Sequence, residues 1–210
     1  MIGLQLIHLY PEKYHSYIGV SQIINWVEND RLALTWAKGQ AKKRNHKKAL
    51  EELTEVGQPP FVESFEQWGI LRKWQARFNS MIYSDAKKGV KHPGYLSVIK
   101  VLISSKDYSL KDIYNSFYKG FKLIYTIDFI NELPNIDFLT MVKKVEVPIT
   151  FIHGKHDFHV SSKLVETFYN EIDARMGKRF LWMDKSAHIF HPDDTKKIES
   201  VLIEELKYVK

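Results

Sequence analysis

The last third of the chain alternates between two kinds of hydrophobic pattern, and this feature limits the possible folds most strongly. Residues 147–153 form a continuous apolar run of strand length, and residues 178–183 form a second run of the same kind. Each is followed by an amphipathic helical pattern, at 161–172 and at 193–208. Continuously apolar strands that alternate with helices are typical of a buried parallel sheet with crossover helices.

The other two thirds divide into a short first stretch and a long helical one. Residues 1–24 predict a helix that leads into a buried strand, Tyr17–Val20, whereas residues 25–146 read as one helix after another. In this second stretch, Ser109 and Asp112 form a capping-box start to a long helix that reaches 133–134. We therefore predict an α/β core made of residues 1–24 and 147–210, interrupted by a helical insertion at 25–146.

A cluster of ionisable side chains follows each late strand. Asp157 comes after the first strand, and His188 comes after the second, 31 residues further along. The carboxyl ends of neighbouring parallel strands meet at one edge of the sheet, where ligands usually bind. We therefore expect the Asp157 carboxylate to hold the His188 imidazole through Nδ1. This arrangement would leave Nε2 free to take a proton from a hydroxyl nucleophile.

With these residues, the sequence resembles the α/β-hydrolase fold family, especially its proline-iminopeptidase-like and esterase-like members with a helical cap. VPITFIHGKHD (147–157) is similar to the penultimate strand with its acid, and SAH (186–188) to the segment that carries the catalytic histidine. GLQLIHLYPEK (3–13) and YIGV (17–20) are similar to the helix behind the nucleophile and the next strand. The resemblance implies a serine hydrolase that cleaves a carboxylic ester or a small peptide amide, with Asp157 and His188 as catalytic residues and 25–146 as the cap.

The family's nucleophile motif, G-x-S-x-G, does not occur in the sequence. The family pattern would place it just before Met1, so we expect a C-terminal portion of a hydrolase that lacks nucleophile and oxyanion hole and is inactive alone. A truncated reading frame and a degenerate gene both fit this expectation. The alternative function is a non-catalytic remnant that binds a small ligand or a partner chain.

Ser21 is the one serine with a partial motif match, in GVSQI (19–23). The order Ser21, Asp157, His188 is the hydrolase order. However, the fifth motif position is the β-branched Ile23, and a nucleophile turn needs a small residue there because helix and strand pack closely. We therefore interpret Ser21 as a false match.

The histidine-rich loops also suggest a metal site. The candidate ligands are His153, His156, Asp157, His159, His188 and His191. Their spacing fits no metal motif, and Lys155 and Lys185 would repel a cation. We therefore expect neither metal nor cofactor. His156 and His159 are expected to line a pocket or to face solvent, and His153 to end a buried strand with its nitrogens bonded to the backbone.

Composition restricts the compartment and the partners. The chain has no cysteine, which excludes disulfides, thiolate zinc sites and cysteine nucleophiles. It has no apolar run long enough for a membrane span and no signal-peptide pattern, so we predict a cytoplasmic protein without membrane contact. The net charge is +6, and its densest basic cluster is at 42–48. We interpret that cluster as the outer face of a helix capped by Asn45, and not as a nucleic-acid site.

Two further expectations concern packing. Aromatic residues in the insertion recur at partly helical spacing. We interpret most of them as the core of the insertion, while a few could line a substrate pocket. In residues 1–24, the helix is apolar over nearly its whole circumference, and the following strand would lack a neighbour on one side. An unpaired apolar strand is a template for another chain, so we predict a homodimer formed through residues 1–24.

Overall fold

A computed structural model describes residues 1–124 and 127–206. The helices are α1 (Ile2–Leu9), α2 (Trp26–Lys43), α3 (Lys47–Glu55), α4 (Phe65–Arg77), α5 (Tyr95–Ser104), α6 (Leu110–Tyr114), α7 (Gly120–Ile124), α8 (Ile127–Glu132), α9 (Phe138–Met141), α10 (Ser162–Glu171) and α11 (Thr195–Glu205). The strands are β1 (Tyr17–Val20), β2 (Lys144–Val145), β3 (Ile149–Gly154), β4 (Asp173–Ala174) and β5 (Lys178–Met183). The fold is therefore mixed α/β.

The main sheet has three parallel strands in the order β1-β3-β5. Its central strand, β3, is buried along its whole length, as its continuous apolar sequence predicts. The short strands β2 and β4 form a separate parallel pair. The predicted strand, helix, strand, helix order of the last third is confirmed, and it brings the carboxyl ends of β3 and β5 to the same edge.

Helices cover both faces of this sheet. Ile149 and Phe151 of β3 pack with Leu4 of α1 and with Phe168 of α10 in one buried cluster. Ile152, whose side chain lies on the opposite face, packs with residues of β5 and α11 in another. The alternation of β3 side chains between two apolar layers thus makes β3 the centre of the core.

The first helix, which the sequence shows as apolar over nearly its whole circumference, packs on the sheet through one face only. Leu4 and Ile7 are buried, whereas Ile2 and Leu9 are 67% and 62% exposed. The predicted strand β1 is present but only partly buried, and Val20 is 51% exposed. The strand is only partly buried because, in the described residues, β1 pairs only with β3 and forms the edge of the sheet.

Residues 26–141 are mostly helical, and we call them the helical segment. Its first half, α2 to α4, has a core of its own in which Trp74 is fully buried with Ala37, Leu53 and Leu71. This cluster also contains Phe61 and Phe78, so the interpretation of these aromatics as core is correct.

The predicted N-cap of α3 is wrong by one residue. Asn45 has a positive φ of 52° and follows the C-terminal end of α2. His46 is the cap, because its Nδ1 accepts a hydrogen bond from the Ala49 amide at 3.3 Å. The left-handed conformation of Asn45 turns the chain between the two helices, and this leaves the capping position to the next residue. The basic residues at 42–44 and 47–48 are exposed, as expected for an outer helix face.

The second half of the helical segment differs from a single long helix. The capping box of Ser109 and Asp112 is present, but α6 continues through a π-helical turn, Asn115–Lys119, into α7. Residues 125–126 of the predicted helix lie outside the described residues. The terminal helix also begins two residues later than predicted. It begins after a 3-10 turn, Pro192–Asp194, and residues 207–210 lie outside the described range.

Candidate functional site

The loop after β3 brings Asp157 into contact with His188. The Asp157 carboxylate is buried, and its Oδ2 lies 3.0 Å from Nδ1 of His188. Its other oxygen, Oδ1, accepts hydrogen bonds from the amides of His159, at 2.8 Å, and Val160, at 2.9 Å. A carboxylate only accepts hydrogen bonds, so Nδ1 of His188 carries the proton in this pair. The contact predicted from the strand order is therefore present.

Close backbone packing places the two loops side by side. A Cβ atom built on Gly154, the last residue of β3, would lie 2.1 Å from the carbonyl oxygen of Ala187. Only glycine permits this approach between the end of β3 and the residue before His188. Two backbone hydrogen bonds join the same loops, from Lys155 to Met183 and from His156 to Ser186, both at 3.0 Å.

The loop that carries His188 is built around a buried serine and a carboxylate. The Ser186 hydroxyl donates to Oδ2 of Asp194 at 2.6 Å and accepts from the His191 amide at 2.9 Å. The same Asp194 oxygen accepts from the Lys185 amide at 3.1 Å. No role for Asp194 was predicted from the sequence. Its place in the Pro-Asp-Asp run Pro192–Asp194, which is typical of turns and helix starts, is the signal that could have identified it.

Burial and charge fix the protonation states around Asp157. Burial by itself raises the pKa of Asp157, but the hydrogen bonds from His188 and from the Val160 amide help to outweigh it and leave the pKa below its ordinary value. Burial, together with the charge of Arg72, lowers the pKa of His159 to about 3. Burial also lowers the pKa of the fully enclosed His153. At neutral pH, the Asp157 carboxylate therefore has two neutral imidazoles near it, those of His153 and His159, in addition to the ring of His188.

The remaining histidines are held by separate partners. His153 is the last residue but one of β3, and its Nε2 lies 3.3 Å from the Val160 carbonyl, whereas Nδ1 has no hydrogen-bond partner among the described residues. The expectation of backbone partners is thus met for one of its two nitrogens. His156 stacks on Tyr83 with ring centroids 3.4 Å apart, and His191 Nε2 lies 3.2 Å from the Lys91 carbonyl. Within the described ranges, no group of three or more histidine, aspartate or glutamate side chains is arranged so that it could hold a metal ion.

Ser21 lies at the end of β1 but is not joined to His188. Its amide donates to the Ile152 carbonyl at 3.0 Å, and its φ of 44° lies in the left-handed region. Its buried Oγ has no hydrogen-bond partner in the described part of the chain. Ser21 thus shares the sheet edge with the pair but does not complete a hydrogen-bonded triad.

Two cavities adjoin the loop that carries Asp157. A cavity of about 210 Å³ is lined by Trp36 and Ala33 of α2 and by Asp157, Phe158 and His159 of the loop. A second, of about 300 Å³, shares Trp36 and Phe158 and extends towards the 79–84 loop. The rings of Trp36 and Phe158 stack at a centroid distance of 5.2 Å and separate the two spaces. The arrangement is a cleft of mixed polar and apolar lining between the loop after β3 and the helical segment, and Asp157 of the carboxylate–imidazole pair contributes to its wall.

At a coarse level, a mixed α/β fold with a parallel sheet and this pair at its carboxyl edge is consistent with an α/β hydrolase. A curated relative, the probable aminopeptidase YbaC of Bacillus subtilis (strain 168), is 22% identical over 205 residues. That alignment covers 96% of this chain and 60% of the relative, so the chain spans about three fifths of the relative's length. No protein-family model matches the sequence.

Solved structures with similarity to the chain include VinJ and an esterase from Exiguobacterium antarcticum. The VinJ crystal structure is 15% identical with a TM-score of 0.48, and the match covers 99% of this chain and 62% of VinJ. The esterase is 19% identical with a TM-score of 0.34, and the match covers 46% of this chain and 36% of the esterase. Separately, in the described residues no helix has both the length and the apolar character needed to cross a bilayer.

Proposed function

We propose that the chain is the acid–base part of an α/β-fold serine hydrolase that acts on a carboxylic ester or a small peptide amide. The observation that carries the proposal is the 3.0 Å contact between a buried carboxylate, Asp157 Oδ2, and Nδ1 of His188, with Asp157 at the wall of a cleft. The relative named as an aminopeptidase supports a hydrolytic reaction. The resemblance of residues 147–157 and 186–188 to the acid and histidine segments of the family supports the roles of the two residues.

In the proposed reaction, His188 moves a proton and Asp157 keeps the ring in position. Because Nδ1–H donates to Asp157, the lone pair on Nε2 can accept the proton of a serine hydroxyl as its oxygen attacks the substrate carbonyl. The imidazolium then gives this proton to the leaving alcohol or amine. The Asp157 charge stabilises the imidazolium, and the second carboxylate oxygen stays fixed by the His159 and Val160 amides.

The serine and the oxyanion donors of this proposal are not assigned to residues of the sequence, because G-x-S-x-G is absent and Ser21 Oγ is not bonded to His188. We propose that polypeptide outside these 210 residues supplies them, and that the 210-residue chain alone is inactive. The nucleophile and the oxyanion hole contribute most of the rate in such enzymes. The helical segment would then act as the cap, and the cavities lined by the stacked rings of Trp36 and Phe158 would receive the apolar part of the substrate.

A second candidate function is non-catalytic binding of a small ligand or a partner chain. The specific observation in its favour is that the described residues combine an open cleft with a sheet edge at β1 and hold no serine bonded to His188. In this alternative, the Asp157–His188 pair would serve structure alone.

The test begins by reading the DNA upstream of Met1 in frame for a G-x-S-x-G segment. If the segment is found, the extended chain is expressed, and hydrolysis of p-nitrophenyl acetate and of an aminoacyl anilide is measured. We expect turnover that falls by about 10³-fold or more in His188→Ala, because the general base is lost, while Asp157→Asn falls strongly because it favours the wrong tautomer.

His15→Ala is the matched control, because His15 is an exposed histidine far from β3 and β5 in sequence, and we expect its activity to equal that of the parent. The 210-residue chain should show no turnover and no labelling by a fluorophosphonate probe. Robust turnover of this chain that disappears in Ser21→Ala would contradict the proposal and make Ser21 the nucleophile. The absence of an upstream motif, or full activity in His188→Ala, would favour the non-catalytic alternative.

A further inference from the structure

The loop that carries Asp157 has an unusual source of stability. Residues 158–161 belong to neither a helix nor a strand. Nevertheless, each backbone polar group from the Phe158 amide to the Ser161 amide has a hydrogen-bond partner. Three of these bonds are made by side chains of β3 and of the loop itself. Asp157 Oδ1 accepts from the amides of His159 and Val160, and His153 Nε2 lies 3.3 Å from the Val160 carbonyl.

The other four bonds come from the helical segment. The Phe158 amide donates to the Ser80 carbonyl at 3.1 Å, and Gln75 Nε2 donates to the Phe158 carbonyl at 3.3 Å. Asn29 makes two bonds at once. Its Nδ2 donates to the His159 carbonyl at 3.3 Å, and its Oδ1 accepts from the Ser161 amide at 2.9 Å. Asn29 and Gln75 are 4% and 0% exposed, so water does not replace these contacts readily.

The same part of the helical segment also holds the loop of His188. The Ile189 amide donates to the Met81 carbonyl at 2.8 Å. Two consecutive carbonyls, those of Ser80 and Met81, therefore accept the amide that follows Asp157 and the amide that follows His188. In addition, the Ser80 amide donates to the Gln75 carbonyl at 2.9 Å, which connects this turn to the end of α4.

From this arrangement we propose that Asn29 and Gln75 are positioning residues for the Asp157–His188 pair. The inference rests on the proposed function and names residues of the helical segment on which its acid–base geometry depends. Asp157 Oδ1 is fixed to the amides of residues 159 and 160, so a shift of this loop must also move Oδ2, which holds His188. The helical segment thus sets the orientation of the imidazole, although in the described residues neither amide side chain is hydrogen-bonded to it.

The test measures the Nδ1 proton of His188 directly by ¹H–¹⁵N NMR of the 210-residue chain. A proton shared with a buried carboxylate resonates far downfield and exchanges slowly with water. In Asn29→Leu and Gln75→Leu, we expect this proton to exchange about five- to thirtyfold faster, the factor that corresponds to one or two lost neutral hydrogen bonds.

Gln75→Glu separates the two contacts of Gln75. A glutamate keeps an oxygen acceptor for Nη1 of Arg72, which lies 2.7 Å from Gln75 Oε1, but loses the donor to the Phe158 carbonyl. We expect Gln75→Glu to resemble Gln75→Leu. It also provides the measurement if Asn29→Leu does not fold. The matched control is Gln22→Leu, which removes another buried side-chain amide whose bonds, to Tyr17 and Ile23, lie elsewhere.

Faster exchange in the Asn29 and Gln75 variants, but not in Gln22→Leu at equal global stability, supports the positioning role. Unchanged exchange in Asn29→Leu and Gln75→Glu, or an equal change in Gln22→Leu, would overturn it. The readout requires no catalysis, so it is independent of the activity test above. If His188→Ala kept full activity in an extended chain, the proposed function would fail while the positioning result stood.

Discussion

Gly154→Ala is the substitution that tests most directly how the two site loops are packed. The added Cβ would lie 2.1 Å from the Ala187 oxygen, 2.7 Å from the Ala187 carbonyl carbon and 2.9 Å from the Ser186 carbonyl carbon. These are backbone atoms, so no side chain can rotate away to relieve the contact. Ordinary contacts require at least about 3.4 Å, and the loop before His188 must therefore move by about 1 Å.

That movement breaks the two backbone hydrogen bonds that join the loops, from Lys155 to Met183 and from His156 to Ser186. A buried group left without a partner costs about 1 to 3 kcal/mol, so we expect the free energy of unfolding to fall by about 2 to 6 kcal/mol. Because a domain of this size is stable by only about 5 to 15 kcal/mol, the loss should be evident in urea unfolding followed by tryptophan fluorescence.

Gly39→Ala is the control, because a Cβ on this residue of α2 meets no described atom within 4 Å. We expect it to stabilise the chain by about 0.5 to 1 kcal/mol, the ordinary gain of alanine over glycine inside a helix. In Gly154→Ala, the downfield Nδ1 proton of His188 should also be lost. A variant as stable as the parent that keeps this proton signal would show that the argument from close packing is wrong.

Three further predictions concern acid stability, the His188 loop and assembly. His159 has a pKa of about 3 in the folded chain, below its unfolded value, so the unfolded chain binds more protons and stability falls as the pH drops below about 6.5. The loss from this group should be about 2 kcal/mol at pH 5, and urea unfolding at pH 5 and pH 7 should show a smaller difference in His159→Asn. Asp194→Ala removes the acceptor of the Ser186 hydroxyl and of the Lys185 amide, so thermal unfolding should show a free energy of unfolding that is lower by about 2 to 4 kcal/mol. An unchanged free energy of unfolding would exclude a structural role for Asp194. Finally, light scattering should show a homodimer formed through residues 1–24, and Val20→Lys on the edge strand should shift it towards the monomer. A parent chain that is a monodisperse monomer of 24.7 kDa would contradict this prediction.

The local hydrophobic pattern was sufficient to predict the two long strands and the two helices of the last third of the chain. The apolar run of β3, the strand β5 and the two amphipathic helices follow from side-chain periodicity, which depends only on neighbours in the chain. The same reasoning predicted that Asp157 and His188 would meet, because both follow strands of one parallel sheet. Their catalytic roles, the division into core and cap, and the homodimer stay predictions.

The sequence pattern alone was misleading where burial depends on distant parts of the chain. The apolar residues Ile2 and Leu9 belong to the same helix as Leu4 and Ile7, yet only the latter two face the sheet. The cap of α3 moved from Asn45 to His46 because the turn after α2 gives Asn45 a positive φ. Neither result can be read from the hydrophobic pattern, because the first depends on which face of α1 meets the sheet and the second on the backbone conformation of the turn after α2.

The sequence by itself determined which residue types are present at the carboxyl ends of the strands, because strand periodicity and the order of elements place them there. Only the tertiary structure decided what holds them in place. The amide side chains of Asn29 and Gln75 are 128 and 82 residues away in sequence from Asp157, and the carboxylate of Asp194 anchors Ser186 across a turn. A buried polar group needs a partner wherever the fold brings one near, and the identity of that partner depends on packing between distant segments.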